Sequence, residues 1–215
     1  MCIRDSICAV QKEFKTYFNF DDSFETEGSS FDHLFKDGEE IEAGTILIKA
    51  LHTPGHTLTC TSFLVNTHHL FVGDTLFTPD FGTGRCDFPG GDARSLFSSV
   101  KKKIYSLPDN TKIYVGHDYQ PGGRKLRFMS TVGEQKSENA HLNGSTSEES
   151  FVVFRKNRDQ QLTSPQLLLA SVQFNAQGGR LPRPESNGVS YLKIPIRYTQ
   201  WSYELLKMRA PFLIF

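Results

Sequence analysis

The sequence predicts an α/β or α+β protein in which helices are layered on a β-sheet. Short apolar runs separated by turn residues occupy the middle of the chain, and segments with helical periodicity follow them. This order favours a layered fold over a helical bundle or a β-sandwich. The 215 residues are 38% hydrophobic and 22% charged, which is typical of a globular chain long enough to bury a core.

The predicted strands are short apolar runs bounded by glycine, proline or asparagine. They lie at residues 45–51, 59–65, 70–72 and 112–115. The second and third strands are expected to form a hairpin, because only residues 66–69 separate them. Two polar stretches rich in small residues, 23–31 and 143–150, predict loops.

A helix is predicted over residues 92–107. Its apolar residues Leu96, Val100 and Ile104 recur at every fourth position and therefore form one helix face. Asp92 follows two glycines and has the side chain of an N-cap residue, so the helix is expected to begin directly after it.

Two further helices are predicted nearer the end of the chain. Ser147 is expected to cap a helix that runs through Phe151 and Arg158. Residues 165–172 predict another helix, with Pro165 in its first turn.

The charge balance excludes several classes of partner. The chain has 24 basic and 24 acidic side chains, which leaves no basic footprint for nucleic acid or an anionic membrane. No apolar run reaches the roughly 18 to 20 residues that span a bilayer, and no secretion signal is visible.

The four cysteines lack C-x-x-C spacing and are expected to be reduced, with two disulfides as the alternative. We therefore expect a cytoplasmic protein, with a mitochondrial location as the alternative.

Three segments share one design, in which an apolar strand ends in a turn that carries a side chain able to bind metal. His56 follows a Pro-Gly turn, and Asp74 and His117 each directly follow a glycine. Because strand ends of a layered sheet meet at one edge, these side chains are expected to converge there. Imidazole and carboxylate suit zinc or non-haem iron, and two histidines with one carboxylate form the iron facial triad. Taken singly, each is more often an ordinary turn residue, so both interpretations stay open on spacing alone.

Several segments resemble the metallo-β-lactamase superfamily, and within it the glyoxalase II and persulfide dioxygenase branch. They are TPGHT at 53–57, GDTLF at 73–77, GRCDF at 84–88 and GHDY at 116–119. The segments at 84–88 and 116–119 are more similar to the persulfide dioxygenases than to glyoxalase II. The later segments at 130–135, 179–182 and 187–195 are similar to bacterial β-lactamase-hydrolase-like proteins of that branch.

The resemblance implies an α/β fold, the αββα metallo-β-lactamase sandwich, with metal at one edge of the two sheets. It implies that His56 and Asp74 are metal ligands. In two-metal members of the family Asp74 would bridge the metals and His117 would hold the second one. In the persulfide dioxygenases two histidines and one aspartate hold a single iron, and the equivalent of His117 stays near it without binding.

The resemblance also assigns residues around the metal. Arg85 and Tyr119 match positions of the substrate pocket, where Arg85 would bind a substrate carboxylate and Tyr119 would act as a substrate-binding and catalytic residue. Asp87 is expected to be a structural partner of Arg85.

The function implied by the resemblance is oxidation of glutathione persulfide to sulfite and glutathione with one Fe(II) per chain. The alternatives are a glyoxalase II-like thioester hydrolase that uses Zn(II), and a metal-free fragment or binding module. The implied partner is a small thiol such as glutathione persulfide, with no nucleic acid and no membrane, and the chain could form a homodimer.

One part of the family pattern is missing from this sequence. The His-x-His-x-Asp-His signature should precede the His56 turn, yet His33 is the only histidine before His52. The chain therefore resembles a partial domain over residues 7–196 that lacks part of the first β-layer, and residues 1–6 and 197–215 are expected to be non-native or unstructured ends. We expect weak metal binding and little activity; a pseudoenzyme is the other explanation.

Overall fold

A computed structural model describes residues 7–88, 90–163, 165 and 167–195. The ends expected to be non-native, residues 1–6 and 197–215, lie outside the described residues. The chain divides into two compact units. The larger unit is Lys36–Gln161, and the smaller one combines the described residues up to Phe35 with those from Leu162 onward.

The larger unit contains a six-stranded mixed sheet whose strands follow one another in chain order. The strands are β1 Glu40–Ala43, β2 Ile46–His52, β3 Thr61–Val65, β4 His69–Phe71, β5 Lys112–Tyr114 and β6 Met129–Thr131. Only β4 and β5 run parallel, and every other neighbouring pair is antiparallel. The four predicted strands are confirmed within two residues, whereas β1 and β6 were not predicted.

The predicted hairpin is formed by β3 and β4, with Phe63 opposite Phe71. Its turn passes through Asn66 and Thr67, whose φ angles of 46° and 60° lie in the left-handed region. Asparagine tolerates this conformation better than most residues. The Asn66 side chain also accepts a hydrogen bond of 2.9 Å from the backbone N–H of Leu47, which ties the turn to β2.

Helices lie in both units. Their bounds are α1 Ile7–Tyr17, α2 Ala93–Ser99, α3 Val132–Glu138, α4 Glu148–Asp159 and α5 Leu168–Asn175. A π-helical segment, Val100–Ile104, continues α2 directly. The predicted helix from residue 92 and the helix capped by Ser147 are confirmed, and the mixture of helices and sheet confirms the α/β class.

The predicted apolar helix face, which spans α2 and the π-helical segment that continues it, forms the centre of the core. Leu96, Val100 and Ile104 are fully buried together with Leu70 of β4 and Ile113 of β5. The helix therefore covers the sheet at the place where the two parallel strands meet. This packing fixes the strand ends from which the candidate site is built.

Asp92 caps α2, and its removal gives a direct stability test. Its side chain accepts a 2.7 Å hydrogen bond from the backbone N–H of Ser95. We expect Asp92→Ala to lower the free energy of unfolding by about 1 kcal/mol, because the first turn loses its cap. Urea unfolding would measure it, with Asp92→Asn as the matched control that retains an acceptor. A loss as large in Asp92→Asn would show that capping is not the cause.

The smaller unit contains α1 and α5. Gln11 of α1 is fully buried, where its amide donates to the Ala176 carbonyl and accepts from the Gly28 N–H. The predicted position of Pro165 in the first helical turn is wrong. Leu167 is the N-cap of α5, and Pro165 lies before it in a turn closed by a hydrogen bond from the Leu168 N–H.

Two further expectations concern loops and membranes. The loop predicted at 23–31 is confirmed, and the one at 143–150 ends at Ser147 because α4 begins at Glu148. Within the described part of the chain, no helix combines the length and apolarity needed to cross a bilayer.

Candidate metal centre

Three loops of the larger unit bring His56, Asp74 and His117 together. The Nε2 atom of His56 lies 3.6 Å from Oδ2 of Asp74. The Nε2 atom of His117 lies 3.5 Å from Oδ1 of the same carboxylate. Asp74 thus faces one histidine with each of its oxygens.

The parallel pairing of β4 and β5 explains why Asp74 and His117 are neighbours. Parallel strands end at the same edge of a sheet, and each strand here is followed by a glycine and then by the polar residue. The N–H of Gly116 donates to the carbonyl of Gly73 over 3.3 Å, which joins the two turns. Gly73 has a φ of 52°, a conformation that glycine adopts without strain.

His56 reaches the same place from the turn after β2. Gly55 has a φ of 142°, and a Cβ atom there would lie 2.3 Å from the Cα of Leu96 in α2. The Gly55 carbonyl accepts a 2.8 Å hydrogen bond from the N–H of Asp92. The turn is therefore pressed against the start of α2, which requires glycine at this position.

The imidazole of His56 is oriented by a backbone carbonyl. Its Nδ1 lies 2.7 Å from the carbonyl oxygen of Arg85. Because a carbonyl can only accept, Nδ1 carries a proton, and the other ring nitrogen, Nε2, is directed at Asp74. The edge-on ring of Phe88, with centroids 5.1 Å apart, supports the same orientation.

The backbone segment 83–86 lies directly against Asp74 and His56. A Cβ atom at Gly84 would lie 2.0 Å from the backbone oxygen of Asp74 and 3.2 Å from Nδ1 of His56. The segment is buried at Thr83, Gly84 and Cys86. Only glycine permits this approach, so the sequence of the segment is part of the site.

Arg85 points its side chain at Asp87. Its Nε and one terminal nitrogen each donate over 2.6 Å to the Asp87 carboxylate, and its guanidinium lies 5.0 Å from the centroid of the Phe88 ring. These hydrogen bonds are the main cause of the raised pKa of Arg85. The predicted pairing with Asp87 is present, and binding of a substrate carboxylate by Arg85 stays a prediction.

Tyr119 lies at the exposed rim of the site. Its ring stacks on Phe81 at 4.4 Å and lies 6.2 Å from the His117 ring. Burial and then the charge of Asp74 raise the pKa of its hydroxyl, so this group keeps its proton at neutral pH and can donate a hydrogen bond. This position is compatible with the predicted contact to substrate.

Arg124 is a residue of this region that sequence reasoning missed. It donates to the carboxylates of both Asp80 and Asp118 and to the hydroxyl of Thr78. The Asp118 side chain is 2% exposed, and Arg124 holds the pKa of that carboxyl far below its usual range. Arg124 therefore ties the loop of His117 to the loop after Asp74.

His141 holds the first residue of the 83–86 segment in place. It also makes the free energy of unfolding depend on pH. Its Nδ1 accepts a 3.1 Å hydrogen bond from the Thr83 N–H. Burial, followed by the charge of Arg155, lowers the pKa of His141 to about 3. The unfolded chain, with its histidine pKa near 6.5, therefore binds a proton that the folded chain does not.

We expect His141 to make the folded chain less stable as the pH falls. The free energy of unfolding should drop by about 1 kcal/mol per pH unit as the pH falls below about 6.5. His141→Asn, whose side-chain oxygen can still accept from Thr83, should show a shallower fall. Urea unfolding between about pH 7 and 5 tests this, and identical slopes in the two proteins would contradict it.

The donor chemistry fits a zinc or iron cation. Two ligand atoms that share such an ion at about 2.1 Å lie roughly 3.4 Å apart in tetrahedral geometry. The two separations at Asp74, 3.6 Å and 3.5 Å, agree with this spacing. Across the described residues, however, His, Cys, Asp and Glu side chains form no preformed group of three or more that could hold a metal ion. These residues thus offer two ligand pairs that share Asp74.

Comparisons with known proteins identify relatives. The sequence profile of the metallo-β-lactamase superfamily matches residues 7–117. The chain is 48% identical over 199 residues to a probable metallo-hydrolase of Burkholderia pseudomallei, covering 88% of this chain and 67% of that protein. It is 47% identical over 189 residues to glyoxylase B2 of Dictyostelium discoideum, covering 88% and 64%.

Persulfide dioxygenases are also among the relatives. The mitochondrial persulfide dioxygenase ETHE1 of Homo sapiens is 35% identical over 153 residues, covering 71% of this chain and 56% of that protein. The crystal structure of ETHE1 from Myxococcus xanthus matches with a TM-score of 0.63 and 33% identity, covering 71% of this chain and 63% of that one. The chain thus spans between 56% and 67% of the length of these four proteins.

Proposed function

We propose that this chain, which belongs to the metallo-β-lactamase superfamily, carries metal-binding residues of an enzyme that acts on a small thiol substrate. Proteins of this superfamily bind metal ions and are hydrolases or dioxygenases. The observation that carries the proposal is the arrangement of His56 and His117 on the two oxygens of Asp74. An imidazole oriented by a backbone carbonyl and directed at a carboxylate has the donor types of a metal-ligand pair, which supports the proposal.

The reaction that we propose is the oxidation of glutathione persulfide. Persulfide, dioxygen and water would give the free thiol and sulfite. The identity to human ETHE1, 35%, and the match to the Myxococcus xanthus structure support this choice. Fe(II), held by Asp74 with His56 or His117, would supply the redox chemistry of oxygen transfer to sulfur.

The roles of the protein side chains follow from their positions. Asp74 would supply negative charge to the cation, and the Arg85 carbonyl holds the Nδ1 side of His56, which leaves Nε2 directed at Asp74. Tyr119 and Phe81 form a stacked aromatic wall beside His117. The Tyr119 hydroxyl, protonated at neutral pH, would donate a hydrogen bond to the substrate and orient it.

Thioester hydrolysis is the second candidate. The observation that favours it is that the two oxygens of Asp74 face different histidines, which suits a carboxylate bridging two cations. Such cations would supply Lewis acidity and an activated water. The relative glyoxylase B2 is 47% identical, which supports this candidate as well.

Metal content and two activity assays distinguish the candidates. The purified chain would be loaded anaerobically with Fe(II), or separately with Zn(II), and analysed for bound metal. Dioxygen uptake with glutathione persulfide supports the dioxygenase, and hydrolysis of a glutathione thioester supports the hydrolase. Absence of bound metal under both conditions would contradict both and favour a metal-free binding module. Tyr119→Phe should lower the turnover of the active reaction without changing the metal content.

A further inference from the structure

We propose that the buried ion pair of Arg155 and Asp159 is a positioning element for His56, acting through the backbone segment 83–86. Both residues lie on α4, one turn apart, and their relative exposures are 1% and 5%. Arg155 donates to the Asp159 carboxylate through a terminal nitrogen. Neither residue belongs to the set of side chains that face Asp74.

Burial of this pair is unfavourable in itself, which argues for a specific role. The Nε atom of Arg155 is buried and finds no hydrogen-bond partner among the described residues. Buried ion pairs add little stability relative to apolar residues of similar size, because desolvation offsets the attraction between the charges. A contribution to stability alone therefore does not account for this pair.

The hydrogen bonds of the pair show what it holds in place. Oδ2 of Asp159 accepts a 2.8 Å hydrogen bond from the backbone N–H of Cys86. Arg155 donates over 3.3 Å to both the carbonyl and the hydroxyl oxygen of Thr83. The segment is thus anchored at both of its ends to one helix.

The middle of the segment contacts the site. The Arg85 carbonyl, between the two anchors, accepts from Nδ1 of His56 over 2.7 Å. Gly84 lies against the backbone of Asp74. Displacing either anchor would move the carbonyl that selects the tautomer of His56, so Arg155 and Asp159 act on the imidazole without touching it.

Two measurements test the proposal in the folded chain. The double variant Arg155→Met/Asp159→Leu replaces the ion pair by apolar side chains of similar size, which preserves the packing of α4. The protonation site of the His56 ring is read from its ¹⁵N NMR shifts at about pH 8, without metal. Zn(II) affinity is measured by calorimetry. The matched control, Arg94→Met/Glu148→Gln, removes an exposed ion pair between α2 and the first turn of α4.

The expected result is a mixture of His56 tautomers and a 10- to 100-fold weaker Zn(II) affinity in the double variant, with a control that behaves like the parent chain. An unchanged tautomer and affinity would overturn the proposal. The Zn(II) affinity measurement rests on the proposed function, whereas the measurement of the His56 tautomer does not. A changed tautomer in the double variant, combined with a parent chain that binds neither Zn(II) nor Fe(II), would therefore refute the proposed function and leave the positioning role supported.

A second variant covers failure of the double variant to fold. Asp159→Asn keeps the size of the side chain and one oxygen that can accept from Cys86, but it removes the charge that pairs with Arg155. We expect the same change of tautomer to a smaller extent and faster hydrogen exchange at the Cys86 amide. Parent-like exchange and tautomer in this variant would likewise overturn the proposal.

Discussion

Asp74→Asn is expected to weaken divalent-cation binding by about 100-fold. The change removes the negative charge that faces both histidines, at 3.6 Å from His56 and 3.5 Å from His117. Structural zinc sites bind with roughly 10 to 16 kcal/mol shared among about four ligands, so one charged ligand contributes a few kcal/mol. Calorimetric titration with Zn(II), and iron analysis after anaerobic loading, would measure the loss.

Matched variants distinguish a metal-ligand role of Asp74 from a general effect of charge on metal affinity. Asp109→Asn removes an exposed carboxylate that pairs with Lys136, and it should leave the affinity unchanged. His117→Ala should weaken iron binding if this histidine completes the ligand set; unchanged binding would exclude it from that set. An Asp74→Asn chain that bound metal like its parent would place the cation elsewhere.

Gly84→Ala is expected to destabilise the fold by about 3 kcal/mol and to abolish metal binding. The added methyl group would lie 2.0 Å from the backbone oxygen of Asp74, which cannot move without displacing its own side chain. Overpacking of this kind typically costs about 1 to 3 kcal/mol. Urea unfolding and Zn(II) titration would measure the two effects.

Gly44→Ala is the control for backbone strain without crowding. Gly44 has a φ of 65°, but no described residue other than its chain neighbours has an atom within 4 Å of the place that an added methyl group would take. Its replacement should cost about 1 kcal/mol and leave metal binding intact. If Gly84→Ala behaved like Gly44→Ala, close approach of segment 83–86 to Asp74 would not be important for the site.

The main elements of the larger unit follow from local sequence. The spacing of Leu96, Val100 and Ile104 predicts a helix face that is fully buried in the structure. The short runs at β2 to β5 also have clear strand patterns. In contrast, β1 (Glu40–Ala43) is a mostly exposed strand at the sheet edge, and its four residues, Glu-Ile-Glu-Ala, are too few for their alternation to predict a strand.

Helix α3 was not predicted, although the sequence contains a recognisable helix-start motif at this position. α3 begins with a capping box, in which Thr131 and Glu134 exchange hydrogen bonds between side chain and backbone. The Thr-x-x-Glu spacing is visible in the sequence and predicts a helix start. The adjacent strand β6 has three residues, too few for a periodicity to be recognised.

The side chains of the candidate metal centre could be predicted from the sequence, but the groups that orient them could not. His56, Asp74 and His117 each follow a strand and a turn, which is a local pattern. The hydrogen bond from His56 uses a backbone carbonyl, that of Arg85, which any residue would provide. The ion pair of Arg124 with Asp80 connects positions 44 residues apart, and no local sequence pattern predicts it.

The order of strands in the sheet has a consequence for how the chain reaches its native state. Strands β1 to β4 form a meander of antiparallel neighbours, each pairing with the one before it, so their loops close at small entropic cost. The parallel β4–β5 pairing needs a long crossover that contains α2. We expect the meander to form early and the crossover to dock late. Since Asp74 and His117 lie on opposite sides of that crossover, these two residues of the candidate site would meet only in the last step of folding.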